Sequence, residues 1–201
     1  IYVQASIGIA IYPENGDRAE DLMRDADAAM YQAKRTGRNA MRFYTDMLTV
    51  EATLRLSLET RLRRALENNA FDLRYQPLVS MSDNSLLGAE VLVRLVDGEP
   101  LALGPAEFIP ILENNGLIVP LGDRVREQAC RQGRAWIDAG LQPGTLAVNL
   151  AVTEIRRGGL DQRIERMLCD TGFPAAALEL EMTESSLMDQ GEHAQLFLAG
   201  L

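Results

Sequence analysis

Residues 178–185 read Leu-Glu-Leu-Glu-Met-Thr-Glu-Ser, and the stretch pulls in two directions. Leu178, Leu180 and Met182 alternate as the packed side of a β-strand does. Glu179 and Glu181 then share the opposite face, and Glu184 follows just beyond it. A buried, unpaired carboxylate costs roughly several kcal/mol even after relaxation. A strand that sets two side by side therefore needs solvent, a basic partner or a cation on that face.

Two earlier stretches raise the same question. In "AEVLVRL", period two puts Glu90, Leu92 and Arg94 on one face and Val91 and Val93 on the other. In "LAVNLAV", Asn149 shares its face with Ala147 and Ala151, small residues that leave room around an amide. Three strands thus each present an oxygen-rich side chain among apolar neighbours. Hard divalent cations take such oxygen ligands, and Mg²⁺ commonly completes its shell with water and substrate phosphate. In parallel barrels the groups that do chemistry sit at the C-terminal ends of the strands. Solvated strand faces, or carboxylates paired with arginine, account for the same pattern.

The rest of the chain falls into three segments. Residues 1–44 hold a strand ("VQASIGIAIYP"), a turn ("ENGD"), a helix with Leu22, Ala26, Ala29 and Met30 at helical spacing, and a short strand ("NAMRFY"). This is the tail of an α/β unit, and the chain opens inside a strand, as a piece of something longer does. Residues 45–69 read as one uninterrupted helix with Leu54, Leu58, Leu62 and Leu66 every fourth residue. Such a helix either joins two domains, with a homodimer contact as one use of it, or packs on its own neighbour. Residues 70–201 open with two strands around an "SDN" turn and then alternate helix and strand. "GPAEFIPILENNG" and "LGDRVREQACRQGRAWIDAG" are helices, "TLAVNLAV" a strand, "LDQRIERMLCDTG" a helix and "ALELEMTE" a strand. Alternation of that kind predicts an α/β fold with a largely parallel sheet, open or closed into a barrel.

Bulk composition narrows the function. The 201 residues are 47% hydrophobic and carry a formal net charge of -9. That balance disfavours binding of duplex nucleic acid through counterion release. A small anionic ligand remains open where metal ions or a few arginines receive it. Cys130 and Cys169 match no metal-ligand spacing and read as reduced thiols. The single histidine, His193, gives little support to a Ser-His-Asp triad or a histidine-rich zinc site. No apolar run reaches the roughly 18 residues of a membrane span, and no signal peptide opens the chain.

The motifs then carry a resemblance. "YQPLVSM", "GAEVLVRL", "FIPILENNGLI", "AVNLAV" and "LELEMTES" resemble, in order and spacing, the front of an EAL domain, the cyclic di-GMP phosphodiesterase family. The signature tripeptide reads Glu90-Val91-Leu92, with Val where the family has Ala. "SIGIA", "DADAAMYQAKRTGRN" and "RFY" similarly resemble the end of a GGDEF domain, the diguanylate cyclase family. The fold so implied is an incomplete TIM-like (β/α) barrel of EAL type, preceded by the last βαβ portion of a GGDEF domain.

The resemblance also implies roles. Glu90, Asn149 and Glu181 become ligands of Mg²⁺ or Mn²⁺, with Glu90 and Glu181 central to catalysis. Arg94 meets a substrate phosphate, Gln76 lies near the bound dinucleotide, and Glu184 holds an active-site loop. Lys34 and Arg38 are residual contacts to GTP phosphates, or simply a basic pair that suits a helix C-terminus. Glu179 has no family role, and a basic partner is expected for it. The implied reaction is hydrolysis of cyclic di-GMP to linear pGpG, with two metal ions polarising the phosphate and activating a water. It implies a cytoplasmic location, in a parent protein with room for a membrane-anchored sensor. A catalytically silent EAL receptor for cyclic di-GMP, and an unrelated metal-dependent barrel, are the competing readings.

Two departures stand out. Ala151 replaces the Ser usual after "VNL", which removes one hydrogen bond. A closed barrel of this class takes about 250 residues, and Leu58 to Leu201 supplies little more than half of that. The family's "DDFG" segment, its catalytic lysine and a later glutamate would lie beyond Leu201. The 201 residues alone are therefore expected to be inactive, with the edge beside Leu178–Glu184 exposed, paired or covered.

Overall fold

The computed structural model describes residues 4–35 and 39–182. Two compact units divide them, Ile1–Thr60 and Arg61–Leu201.

In the first unit, strand β1 (Ile7–Ile9) pairs in parallel with β2 (Met41–Phe43), and helix α1 (Ala19–Arg35) connects them. Gly8 is what lets α1 lie this close, because a Cβ there would meet the Ala26 carbonyl oxygen at 1.9 Å. Ala29 and Ala33 are fully buried, while Leu22, Ala26 and Met30 are half-buried, so the apolar face of α1 is the one its spacing predicts. The first strand is shorter than the run to Pro13 suggests. The Asn15 side chain accepts the Ile11 N–H (2.7 Å), and the Asn15 N–H binds the Ile11 carbonyl (2.8 Å). This closes a turn where the strand reading continued the ladder.

Helix α2 (Asp46–Glu67) crosses from the first unit into the second. Its leucine stripe is not uniform: Leu54 is exposed and Leu58 half-buried, whereas Leu62 and Leu66 are buried. Two arginines fasten the buried end. Arg61 makes a two-point contact with Asp97 (2.5 and 2.9 Å) and also donates to the Leu101 carbonyl (2.8 Å), and Arg124 donates to the Leu66 carbonyl.

The second unit is built on a four-stranded sheet in the order β3-β4-β5-β6. Strands β3 (Phe71–Val79) and β4 (Leu86–Leu95) form an antiparallel pair with a bulge at Leu78/Val79. Strands β5 (Thr145–Asn149) and β6 (Leu178–Glu181) continue it in parallel. Helices α3 (Pro105–Asn115) and α4 (Ile118–Asp138) connect β4 to β5. The short α5 (Val152–Arg156), α6 (Leu160–Thr171) and a 3-10 turn connect β5 to β6. This is the antiparallel opening followed by parallel alternation that the sequence predicts.

The core lies between the sheet and its helices. Tyr75 meets Trp136 of α4 edge-on (4.8 Å between centroids), and Phe71 meets Phe108 of α3 the same way (5.8 Å). Leu146, Val148, Val91, Phe108 and Cys130 are buried there. Burial pushes the Tyr75 hydroxyl up to about 12 and the Cys130 thiol up to about 11, as a dry interior should. The reading of "TLAVNLAV" as strand throughout is corrected. The strand stops at Asn149, the Leu150 N–H goes to the Glu181 carbonyl (2.8 Å), and the chain turns into α5 with Ala151 as its cap residue. Ala151 is therefore not on the strand face of Asn149.

Candidate functional site

The pairing register decides what converges. In β3 and β4, Gln76 is opposite Glu90 and Asp72 is opposite Arg94. In β4 and β5, Glu90 is level with Ala147, and in β5 and β6 Ala147 is level with Glu179 and Asn149 with Glu181. Level residues in neighbouring strands share a face. Gln76, Glu90, Arg94, Asn149, Glu179 and Glu181 therefore all lie on one side of the sheet. Tyr75, Val91, Val148 and Leu180, between them, take the helix-covered side. Asn149 and Glu181 close their strands at the C-terminal end, where the sheet opens to α5.

The side chains meet as the register demands. The Asn149 Nδ2 donates to Glu90 Oε1 at 2.9 Å. That bond fixes which way the amide faces and leaves its carbonyl oxygen as the harder donor of the pair. The Glu181 carboxyl is raised above its ordinary range, first by burial, then by the negative charges of Glu90 and Glu179. Such mutual repulsion is what a bound cation relieves. Among the described residues no three His, Cys, Asp or Glu side chains form a metal cluster by themselves. The oxygen set here is two carboxylates and one amide. It is a donor set suited to a hard cation that keeps water or phosphate ligands.

Beside these groups lies a cavity of 520 Å³, lined by Arg94, Asn149, Glu181 and Glu154 with apolar residues of α3 and α4. Arg94 is half-buried, and its Nη1 donates to the Val93 carbonyl (2.9 Å). Gln76 is exposed on the same face. Glu179, for which a basic partner was expected, acts on Glu181 by its charge. Lys34 is exposed near the end of α1, in the other unit. Arg38 and Glu184 lie outside the described residues.

One group at the cavity escaped the sequence reading. Glu154, in the first turn of α5, is only 1% exposed, and each of its carboxylate oxygens accepts a bond from Arg126 Nη1 of α4 (3.1 and 3.0 Å). Burial raises its carboxyl, and the Arg126 bonds pull it back down. Its Oε2 also accepts the Ala151 N–H at 3.4 Å. The spacing Ala151–Glu154 is that of a capping box with the Ser or Thr missing, and that signal could have found it.

The chain resembles known proteins along its length. The family model for the EAL domain matches residues 59–201, and that for the diguanylate cyclase GGDEF domain matches residues 1–40. A bifunctional diguanylate cyclase/cyclic di-GMP phosphodiesterase, MucR of Pseudomonas aeruginosa, is 37% identical over 201 residues, which are 100% of this chain and 29% of that protein. Cyclic di-GMP phosphodiesterase NbdA of the same organism is 37% identical over 188 residues, 94% of this chain and 24% of that protein. The chain thus spans between a quarter and a third of MucR and about a quarter of NbdA. Among solved structures, the MucR phosphodiesterase in complex with c-di-GMP superposes with a TM-score of 0.66 at 34% identity, over 72% of this chain and 57% of that one. The EAL domain of FimX from Xanthomonas citri, also in complex with c-di-GMP, gives 0.65 at 26% identity, over 76% and 58%. The motifs, the sheet order and these matches together show that the chain belongs to the EAL domain family, with the end of a GGDEF domain before it.

Proposed function

We propose that the protein carrying this chain hydrolyses one phosphodiester bond of cyclic di-GMP to give linear pGpG, and that Glu90, Asn149 and Glu181 hold a divalent ion, Mg²⁺ or Mn²⁺, for that reaction. The observation that carries the reading is the contact of Asn149 with Glu90 at 2.9 Å, beside Glu181 in register, at the C-terminal mouth of a sheet of EAL type. Relatives named as cyclic di-GMP phosphodiesterases, and relatives solved with c-di-GMP bound, support the substrate.

Each residue has a task. Glu90 and Glu181 supply negative charge, and their repulsion makes the pair receptive to a cation. The Asn149 N–H orients Glu90, and its carbonyl oxygen is left as the metal-binding atom of the amide. Arg94, at the cavity wall, receives a phosphate oxygen of the substrate by charge-assisted hydrogen bonds. Gln76, opposite Glu90, lies where the dinucleotide crosses β3. Bound divalent ions supply Lewis-acid polarisation of the phosphoryl oxygen and a water of lowered pKa. In the net reaction water adds across one P–O bond: hydroxyl goes to phosphorus and a proton to the departing ribose oxygen. Residues 45–69 serve as the helical linker from the GGDEF side, and a cytoplasmic location follows from the substrate. The described residues contain no helix long and apolar enough to cross a membrane.

The test is turnover of cyclic di-GMP by the intact protein with Mg²⁺ or Mn²⁺. Glu90→Gln should lower kcat/KM by at least about a hundredfold, because metal catalysis is worth several kcal/mol. Binding without turnover in the unaltered protein would establish the receptor reading instead.

A further inference from the structure

The buried ion pair behind the site asks for a purpose. Replacing such a pair with apolar side chains is often neutral or stabilising, so stability alone does not explain its presence. Its placement does suggest a use. Asn149 ends β5, α5 starts at Val152, and only Leu150 and Ala151 lie between them. The Leu150 N–H is held by the Glu181 carbonyl (2.8 Å). The next N–H, that of Ala151, goes to Glu154 Oε2 (3.4 Å), and α5 has no side-chain cap at Ala151 to add to it. A five-residue helix has too few internal bonds to hold this turn by itself.

Glu154 in turn is clamped from outside. Arg126 Nη1 contacts both carboxylate oxygens, and Arg126 Nη2 binds Asp123 Oδ1 (2.6 Å), which also receives Arg163 Nε (3.2 Å). The carboxylate rests on bare backbone at Gly122, where a Cβ would stand 1.8 Å from Glu154 Oε1. We propose that Arg126 and Glu154 are positioning residues: they tie the turn after Asn149 to α4 and so set where the Asn149 amide stands against Glu90 and Glu181. The inference rests on the proposed metal site. Ligand sets tolerate displacements of only about 0.5 Å, and loss of groups that orient a ligand costs about 10–100-fold in metal affinity.

Mn²⁺ binding to the metal-free intact protein, measured by titration calorimetry without substrate, tests this. R126M/E154L keeps the volume, removes both charges and removes the tether to Ala151. It should bind Mn²⁺ about 10–100-fold more weakly while melting within a few degrees of the parent. G122A keeps every charged group and displaces the carboxylate, and it should shift affinity in the same direction. Parent-like affinity in both variants overturns the proposal. So does a loss of affinity seen only together with loss of the cooperative melt. If R126M/E154L does not fold, G122A decides alone: weaker binding with an unchanged melt supports the tether, and parent-like binding refutes it. N149A separates this from the reading beneath it. Parent-like Mn²⁺ binding by N149A removes the metal site itself, whereas weakened binding by N149A beside parent-like variants at 122, 126 and 154 removes the tether only.

Discussion

The two faces of the β3–β6 sheet carry the same alternation and do opposite things. On the helix-covered face Phe71 is 5% exposed, Val91 3%, Leu146 0% and Val148 1%. On the other face Gln76 and Asn149 are exposed, and Glu90, Arg94 and Glu181 are half-buried. The covered face is dry enough to push Tyr75 up to about 12, yet on the next strand, opposite Gln76, Glu90 accepts a hydrogen bond from an exposed amide. The difference teaches that a polar residue at every second position is not just the wet side of a strand. Three adjacent strands turn theirs to one face, so that Glu90 and Glu179 act by their charge on Glu181 although Glu90 is far from it in sequence.

Truncation on the dry face should have the largest effect on stability. Leu146→Ala removes a fully buried side chain and is expected to cost about 2–5 kcal/mol in chemical denaturation. Glu90→Gln, on the opposite face, keeps an acceptor for Asn149 and should stay within about 1 kcal/mol of the parent. Equal losses from the two substitutions would erase the distinction between the faces. A smaller effect is expected just past the end of β4, where Asp97 meets Arg61 of α2. Asp97 is held below its ordinary range, chiefly by its hydrogen bonds from Arg61. A depressed carboxylate stabilises the fold above the unfolded pKa, and the contribution disappears as pH falls through the folded one. Asp97→Asn should therefore cost about 1–3 kcal/mol at neutral pH and converge on the parent in acid. A difference that stays constant between neutral pH and pH 3 would show that charge is not the cause. The smallest effect concerns chemistry rather than stability. Cys169 is exposed and Cys130 is buried with its thiol pushed up to about 11. Under native conditions a disulfide reagent should titrate one thiol promptly, and prompt titration of both would mean that the covered face is open to solvent.

Much of this architecture could be read in advance. The hairpin of β3 and β4, the parallel alternation after it, and α3, α4 and α6 follow from periodicity and from Gly and Pro at the boundaries. Period two alone placed Glu90 and Arg94 together, and Glu179 and Glu181 together, because a strand has only two faces. Other features could not be read. The composition of "LAV" is that of a strand, while Leu150 and Ala151 give their N–H groups to Glu181 and Glu154 and the strand stops at Asn149. The stripe on α2 looks uniform at four-residue spacing, yet Leu54 is exposed and Leu62 is buried, since a stripe specifies a face and not what covers it. The capping-box spacing marks Glu154 as a cap but not as buried, because the partner that holds it lies 28 positions earlier.

The local pattern by itself determined which residues share a face, which elements form, and which motifs mark the EAL family, because strand and helix periods act over a few residues. Only the tertiary structure decided that Gln76 is level with Glu90 and Asn149 with Glu181 on one face of four strands, and that Arg126 reaches Glu154 over Gly122. Register and burial depend on pairing between distant segments, and no local period carries that information.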